Sequence, residues 1–345
     1  MQYKGKNEKH GIKKKMTTIL ITGSSGFIGA NLCRYFSEKN YSVIAIKNSR
    51  SSWRLPKNLH SPHLKVVSLD LTNEKRVRSF LKKTQPKIIF NLAAYGAYSN
   101  QTEQNRIYRV NFDAVRFLLE GAREIEGFKA FVQAGSSSEY GVNCSAPLES
   151  DWPLPDSHYA VAKVNATHLI QYYALKYQLP AWAFRLYSVY GPYEEVSRLI
   201  PKLLLHAREQ KLPPLVNPNI SRDFIYVNDV AQAFEKLIKK AHLLPKGEVY
   251  NIGSGHCVTL KKLVDIAKHT FDISEMPQWG SMPDRHWDHP DWYSNPQKAQ
   301  RDLNWKPVTS LESGLKKTME WIQNNSLLIK KANQCSVLQT SQKKN

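Results

Sequence analysis

The 345-residue chain lacks the features that mark several specialised classes of protein. Its four cysteines, Cys33, Cys144, Cys257 and Cys335, are scattered without a C-x-x-C pair, which predicts reduced thiols, no disulfide framework and no metal site. No apolar run approaches the length of a membrane span, so we expect no integral membrane segment. Residues near the N-terminus also lack the apolar core of a secretory signal, and these absences together predict a cytoplasmic protein.

Acidic residues are scarce, since 29 Asp and Glu oppose 49 Lys and Arg, giving a net charge of +20. Much of the excess is terminal, because residues 1–15 hold six lysines and one glutamate, and residues 326–345 hold four lysines and no acid. Such runs are typical of solvated, disordered segments, so we predict basic tails at 1–15 and 326–345 and no nucleic-acid partner. The remaining positive charge suits a small polyanionic substrate, such as one with two phosphates.

The stretch around residues 17–31 has the pattern of a dinucleotide-binding turn. Thr17 to Ile21 is a β-branched apolar run typical of a buried strand, and it leads into three glycines with G-x-x-G-x-x-G spacing and then a helical pattern. Glycines at these places allow a tight turn, close approach of the backbone to a pyrophosphate and close packing of helix on strand. The predicted cofactor contacts here are Gly23, Gly26, Phe27, Ile28 and Gly29.

The end of the second predicted strand, 41–46, bears on which dinucleotide binds. An acid usually occupies this place and accepts the adenosine ribose hydroxyls, but here the residue is Lys47. A lysine attracts a 2′-phosphate, so the sequence favours NADP(H), with NAD(H) as the alternative. Asp70 and Leu71 follow the third strand, 64–69, where an acid can bond the adenine amino group.

Strands alternate with helices along the chain, which is typical of an α/β fold. We predict a Rossmann-type doubly wound parallel sheet with a smaller C-terminal substrate-binding domain. The NAD(P)-binding domain is expected at 16–190 and 221–253, and the substrate-binding domain at 191–220 and 254–325. After the fourth strand, small residues allow the cofactor to pass close to the backbone, so further cofactor contacts are predicted at Leu92, Ala93, Ala94 and Asn111.

Three residues form the predicted catalytic group: Ser136, Tyr159 and Lys163. The serine ends the fifth strand, and the tyrosine and lysine are one turn apart on the predicted helix 158–177. Tyrosine is a poor base at its ordinary pKa of about 10, but a neighbouring ammonium favours tyrosinate. Tyr159 can then exchange a proton with a sugar hydroxyl while hydride moves to or from the adjacent carbon.

The chain resembles extended short-chain dehydrogenases/reductases of the NAD-dependent epimerase/dehydratase family, which act on nucleotide sugars. The resemblance covers about residues 16–322, through the stretches TGSSGFIG (22–29), NLAA (91–94), SSSEYG (136–141), YAVAK (159–163), RLYSVYGP (185–192), RDFIYVNDV (222–230), YNIGSG (250–255) and LNWKP (303–307). It implies that Tyr159 and Lys163 carry the proton chemistry and that Ser136 is the catalytic hydroxyl, with Ser137 as the alternative. It also implies a homodimer formed through the helices near 106–124 and 158–177.

The same resemblance implies a nucleotide-diphosphate sugar as substrate. Arg222 and Arg285 match positions that clamp the diphosphate, and Tyr187 matches a cofactor contact. Further substrate contacts are expected at Tyr95, Ser137, Ser138 and Ser188.

Departures from the family pattern leave the reaction open. Members that dehydrate C4–C6 place an acid where this chain has Ser138, with Glu139 one residue late, and many members have Asn in place of Ser188. We expect a C4 epimerase that uses Tyr159 as acid/base and forms a 4-keto intermediate. The alternatives are an NADPH-dependent 4-keto-sugar reductase, a 4,6-dehydratase and an inactive Rossmann cofactor sensor.

Overall fold

A computed structural model describes residues 16–39, 41–48, 53–55, 61–98, 100–282 and 290–332. The predicted N-terminal tail, 1–15, lies outside these residues. The strands are β1 (Thr18–Thr22), β2 (Ser42–Lys47), β3 (Leu64–Ser68), β4 (Ile88–Asn91), β5 (Ala130–Ser136), β6 (Ala181–Leu186), β7 (Ser188–Tyr190), β8 (Ser221–Arg222), β9 (Phe224–Tyr226), β10 (Val249–Ile252) and β11 (Val258–Thr259).

Seven of these strands form one parallel sheet in the order β10-β6-β5-β4-β1-β2-β3. Thr18 of β1 pairs with Ser42 of β2, and Thr22 at the end of β1 pairs with Asn91 of β4. The strand order reverses at β1, so a crevice opens between the carboxyl ends of β1 and β4, where ligands bind in doubly wound sheets. The predicted fold class is confirmed.

The α-helices are α1 (Phe27–Ser37), α2 (Glu74–Thr84), α3 (Gln104–Tyr108), α4 (Ala114–Arg123), α5 (His158–Tyr177), α6 (Leu199–Ala207), α7 (Val227–Lys240), α8 (Leu260–Phe271), α9 (Gln297–Leu303) and α10 (Leu311–Asn324). Helix α5 begins where predicted, because the Ser157 side chain accepts a hydrogen bond from the Ala160 N–H. The single helix predicted at 106–124 is divided by a π-helical segment, Arg109–Asp113.

Helices cover both faces of the sheet and form two cores. Phe36 of α1 and Phe234 of α7 pack against Phe90 on one face, and Leu81 of α2 and Ile170 of α5 lie in the core on the other. The sheet is therefore buried on both sides, which explains its nearly continuous apolar strands.

A third core lies beyond the sheet and contains buried residues of α6, α8 and α10. Helix α6 lies within the stretch 191–220, which is predicted to belong to the substrate-binding domain. Its Pro201 lies in the first turn, where the missing N–H breaks no helical hydrogen bond. The prediction of a tail at 326–345 is wrong for residues 326–332, and residues 333–345 lie outside the described residues. Residues 326–332 are helical, and Ile329 and Ala332 are buried in this core, because apolar residues outweigh the two lysines there.

Candidate active site

The turn between β1 and α1 has no room for a side chain at Gly23 or Gly29. Gly23 has φ of +61°, and a Cβ added there would lie 2.5 Å from the Leu92 carbonyl oxygen. A Cβ on Gly29 would collide with the Gly23 carbonyl, and Gly26, the exposed N-cap of α1, donates to that carbonyl at 2.9 Å. The turn therefore leaves a backbone cradle at a helix N-terminus, next to half-buried Phe27 and Ile28, that fits a pyrophosphate.

A buried row of polar side chains crosses three strands beside this turn. Thr22 donates to Asn91, and Asn91 donates to Gln133 at 2.7 Å. The Thr22 hydroxyl also accepts from the N–H groups of Leu92 and Ala93, both at 3.2 Å. The sequence reasoning missed this row, although polar residues within apolar strands are its visible signal. The row holds residues 92–93 against the glycine turn.

The loop after β4 continues toward the catalytic helix. Asn111 is fully buried and donates to the backbone carbonyls of Tyr95 at 2.5 Å and Ile107 at 2.9 Å. A Cβ added to Gly96 would lie 3.4 Å from the Tyr159 Cβ. Asn111, predicted to touch the cofactor, thus shapes the loop that contains Tyr95, and Ala94 is exposed on that loop.

The predicted adenosine contacts occupy the carboxyl ends of β2 and β3. The Lys47 carbonyl accepts from the Leu69 N–H at 3.0 Å, so these two strand ends are adjacent. Asp70 accepts from the Thr72 N–H and hydroxyl at 2.9 and 2.8 Å, and Leu71 is buried. The structure brings Lys47, Asp70 and Leu71 to the edge of the sheet that carries the glycine turn.

The three predicted catalytic residues come together at the carboxyl end of β5. Ser136 ends that strand, and its side chain lies close enough to Tyr159 to lower the pKa of the tyrosine. Lys163 is buried, donates to the Ala134 carbonyl at 2.8 Å, and its Nζ lies 5.6 Å from the centre of the Tyr159 ring. The serine, tyrosine and lysine therefore form one group, as the sequence predicts.

Burial dominates the electrostatics of this group. It raises the pKa of Tyr159 to about 12, while the Ser136 side chain lowers it and the Glu139 charge raises it. Burial lowers the pKa of Lys163 to about 8, against an upward contribution from Glu139. Arg198, which sequence reasoning missed, also lowers the pKa of Tyr159 and therefore lies near the site.

Glu139 points into the protein. Its carboxylate is fully buried and accepts from the Ser136 N–H at 2.9 Å, the Thr167 hydroxyl at 2.9 Å and the Arg185 Nε at 3.0 Å. The half-buried Ser138, by contrast, donates its hydroxyl to Ser136 at 2.8 Å. A carboxylate enclosed in this way has no access to a substrate proton.

Trp292 links the turn that follows β5 to Arg222. The indole N–H donates to the Ser137 hydroxyl at 3.1 Å, and the Arg222 guanidinium lies 4.9 Å from the indole ring centre. The Trp292 backbone N–H donates to the Ser221 hydroxyl at 2.9 Å, and this bond holds the Trp292 backbone beside β8. Arg285 lies outside the described residues.

Two further predicted residues follow β6. Tyr187 is buried, its hydroxyl has no hydrogen-bond partner within the described part of the chain, and burial raises its pKa. Ser188 is half-buried, and its N–H donates to the Asp223 carbonyl at 2.9 Å. Asp223 is itself fully buried and accepts from the N–H and hydroxyl groups of Ser254 and Ser294. This network, which the sequence reasoning missed, anchors the chain on both sides of Arg222 and Trp292.

A Rossmann sheet, a glycine turn at its switch point and a Ser-Tyr-Lys group at its carboxyl edge define the class of extended short-chain dehydrogenases/reductases. Comparison with protein families is consistent, because residues 19–253 match the model of the NAD dependent epimerase/dehydratase family. The chain belongs to this family.

The known relatives of the chain have several different activities. The chain is 30% identical over 327 residues, 89% of its length, to an Arabidopsis thaliana trifunctional UDP-glucose 4,6-dehydratase/UDP-4-keto-6-deoxy-D-glucose 3,5-epimerase/UDP-4-keto-L-rhamnose-reductase, and it spans about half of that protein (47%). The structure is similar to UDP-glucose 4-epimerase from Thermotoga maritima with UDP-glucose (TM-score 0.79, 26% identity, 89% and 99% of the two chains). It is also similar to dTDP-glucose 4,6-dehydratase from Bacillus anthracis with NAD (TM-score 0.78, 26% identity, 90% and 97%).

Among the helices in the described ranges, we find none with the length and apolar character needed to cross a membrane.

Proposed function

We propose that this protein is an NAD(P)-dependent 4-epimerase of a nucleotide-diphosphate hexose. The observation that carries the proposal is the Ser136–Tyr159–Lys163 group beside the glycine cradle. The similar UDP-glucose 4-epimerase and the positive charge of Arg222 support a nucleotide-diphosphate sugar as substrate. We assign the sugar nucleotide to the unit formed by residues 191–220 and 254–325, with further contacts at Tyr95, Ser137, Ser138 and Ser188.

Each residue of the proposed site has a separate role. A bound nicotinamide supplies reversible hydride chemistry at C4. Tyr159 takes the proton from the C4 hydroxyl and later returns it, Ser136 donates a hydrogen bond to the same oxygen, and the charge of Lys163 favours tyrosinate. Arg222 holds the diphosphate while the 4-keto sugar turns to present its other face.

A purified enzyme tests the reaction directly. With UDP-, GDP-, CDP- and dTDP-hexoses and no added NADPH, an epimerase gives a product of unchanged mass that NMR distinguishes from the substrate. Tyr159→Phe should lower kcat by on the order of 10²-fold. Tyr35→Phe should not, because Tyr35 is a half-buried tyrosine that donates to Glu235 at 2.7 Å on the far side of the sheet. Equal activity of the Tyr159 variant and the wild type would contradict the proposal.

A 4-keto-sugar reductase is the second candidate, because the GSSSEYG stretch resembles such reductases and Lys47 favours NADP(H). It would consume NADPH in stoichiometric amounts on a 4-keto sugar. A 4,6-dehydratase, which loses water, is disfavoured by the enclosed carboxylate of Glu139 and by Ser138 in the position of the usual acid.

For the cofactor, we propose NADP(H) over NAD(H), on the charge of Lys47 at the end of β2. Lys47→Asp should reverse the ratio of the Kd values for NADP and NAD, measured by calorimetry. Lys65→Asp makes the same charge change on the exposed face of β3 and is the control. An unchanged ratio in the Lys47 variant would refute this preference.

We also propose a homodimer through the helices near 106–124 and 158–177. Leu175 and Tyr172 on α5 are 74% and 49% exposed in the single chain, which supports an apolar contact there. Light scattering should give twice the chain mass for the wild type and the chain mass for Leu175→Glu. A monomeric wild type would contradict the proposal.

A further inference from the structure

Glu139 connects three elements that meet beneath the catalytic group. It accepts from the N–H of Ser136 at the end of β5, from Thr167 on α5 and from Arg185 on β6. The Glu139 and Arg185 side chains are 0% and 4% exposed, so this ion pair is sealed from water. Helix α5 also carries Tyr159 and Lys163, so Glu139 ties the helix that bears them to the strand end that bears the serine.

The local sequence is built around this carboxylate. Ser136 caps the short turn Ser137–Tyr140, and Glu139 returns to the Ser136 N–H, which completes a capping box. Gly135 is required because a Cβ there would lie 2.5 Å from the Glu139 Oε1 and 3.1 Å from the Phe184 carbonyl. Gly135 therefore leaves the space that the Glu139 carboxylate occupies.

We propose that Glu139 is a positioning residue for the proposed epimerase reaction, which fixes the Ser136 hydroxyl relative to Tyr159 and sets the charge balance around Lys163. This role rests on the proposed function. Glu139 itself is fully buried and bonded to Ser136, Thr167 and Arg185, so it acts without contacting the sugar or the cofactor. This role differs from that of the acid in dehydrating relatives.

The charge effect has a definite sign. The charged and titratable groups around Glu139 are Arg185 from β6 and Tyr159 and Lys163 from α5. The Arg185 guanidinium also lies 4.3 Å from the centre of the Tyr140 ring. A carboxylate favours the protonated form of every neighbour, so its charge contributes upward to the pKa of both Tyr159 and Lys163. Removing that charge lowers both, and the pH profile of kcat/KM moves as a whole to lower pH.

Glu139→Gln is the test, with Glu235→Gln as the matched control. Glu235 is a nearly buried, ion-paired glutamate that binds Lys39 and Lys239 away from the site. For Glu139→Gln we expect kcat to fall on the order of 10²-fold, KM to change little and the profile to shift to lower pH. Glu235→Gln should leave all three unchanged.

Thr167→Val removes one hydrogen bond to Glu139, and it is the variant to measure if Glu139→Gln does not fold. We expect this variant to lower kcat about tenfold with an unshifted pH profile, since the charge remains. In urea unfolding, which needs no cofactor, the Glu139→Gln and Thr167→Val effects should be non-additive. An unshifted profile in Glu139→Gln, or additive unfolding effects, would overturn the inference. A wild type without epimerase activity would instead overturn the proposed function.

Discussion

Replacing Lys163 by Met should make the protein more stable while it removes activity. Lys163 is 2% exposed, and burial lowers the pKa of its ammonium from the ordinary 10.5 to about 8. At about 1.4 kcal/mol per pKa unit, burying this charge costs on the order of 3 kcal/mol. Methionine avoids that cost but removes one of the two hydrogen bonds to the Ala134 carbonyl, a loss of about 1 kcal/mol, while the bond from the Gln133 amide remains. We therefore expect a net gain of about 2 kcal/mol in the free energy of unfolding of the cofactor-free protein at pH 7.

The gain depends on pH in a direction that follows from the lowered pKa. Below pH 8 the lysine is protonated in both the folded and the unfolded protein, so the wild type bears the full cost. Between pH 8 and 10.5 the folded protein loses the proton first, so wild-type stability rises toward that of the variant. Urea unfolding of both proteins at pH 7 and pH 10 measures this, with the turnover assay in parallel. A variant that is less stable at pH 7, or a difference that does not shrink at pH 10, would refute the reasoning.

Three further predictions each concern the replacement of one residue. Trp292→Phe removes the N–H that binds Ser137 but keeps a ring beside Arg222, so KM for the sugar nucleotide should rise about fivefold; an unchanged KM would argue against a role for this contact. Gly29→Ala forces a Cβ against the Gly23 carbonyl, so the cofactor Kd should rise by about tenfold or more in calorimetry; wild-type affinity would mean that the turn can widen. Asp223→Ala leaves the N–H and hydroxyl donors of Ser254 and Ser294 without their acceptor, so urea unfolding should report a loss of about 3 kcal/mol; a loss below about 1 kcal/mol would mean that water replaces the carboxylate.

Local patterns predicted a large part of the fold. The glycine spacing, the alternation of strands and helices and the one-turn spacing of Tyr159 and Lys163 all act over a few residues, and the structure has α5 at the predicted bounds. Helix α6 was not predicted, and the predicted tail was wrong for residues 326–332. Both segments are stabilised by burial in the third core, whose composition no local pattern reveals.

The sequence by itself determined the glycine turn and the one-turn separation of Tyr159 from Lys163, because backbone conformation and helical periodicity decide both. Only the tertiary structure decided which groups surround them. It buried Lys163, enclosed Glu139 between Thr167 and Arg185, and brought Trp292 to Ser137, 155 positions away in the chain. The pKa of a side chain and the partner of a hydrogen bond depend on burial and on contacts between distant segments. They are therefore fixed only when the strands and helices have packed.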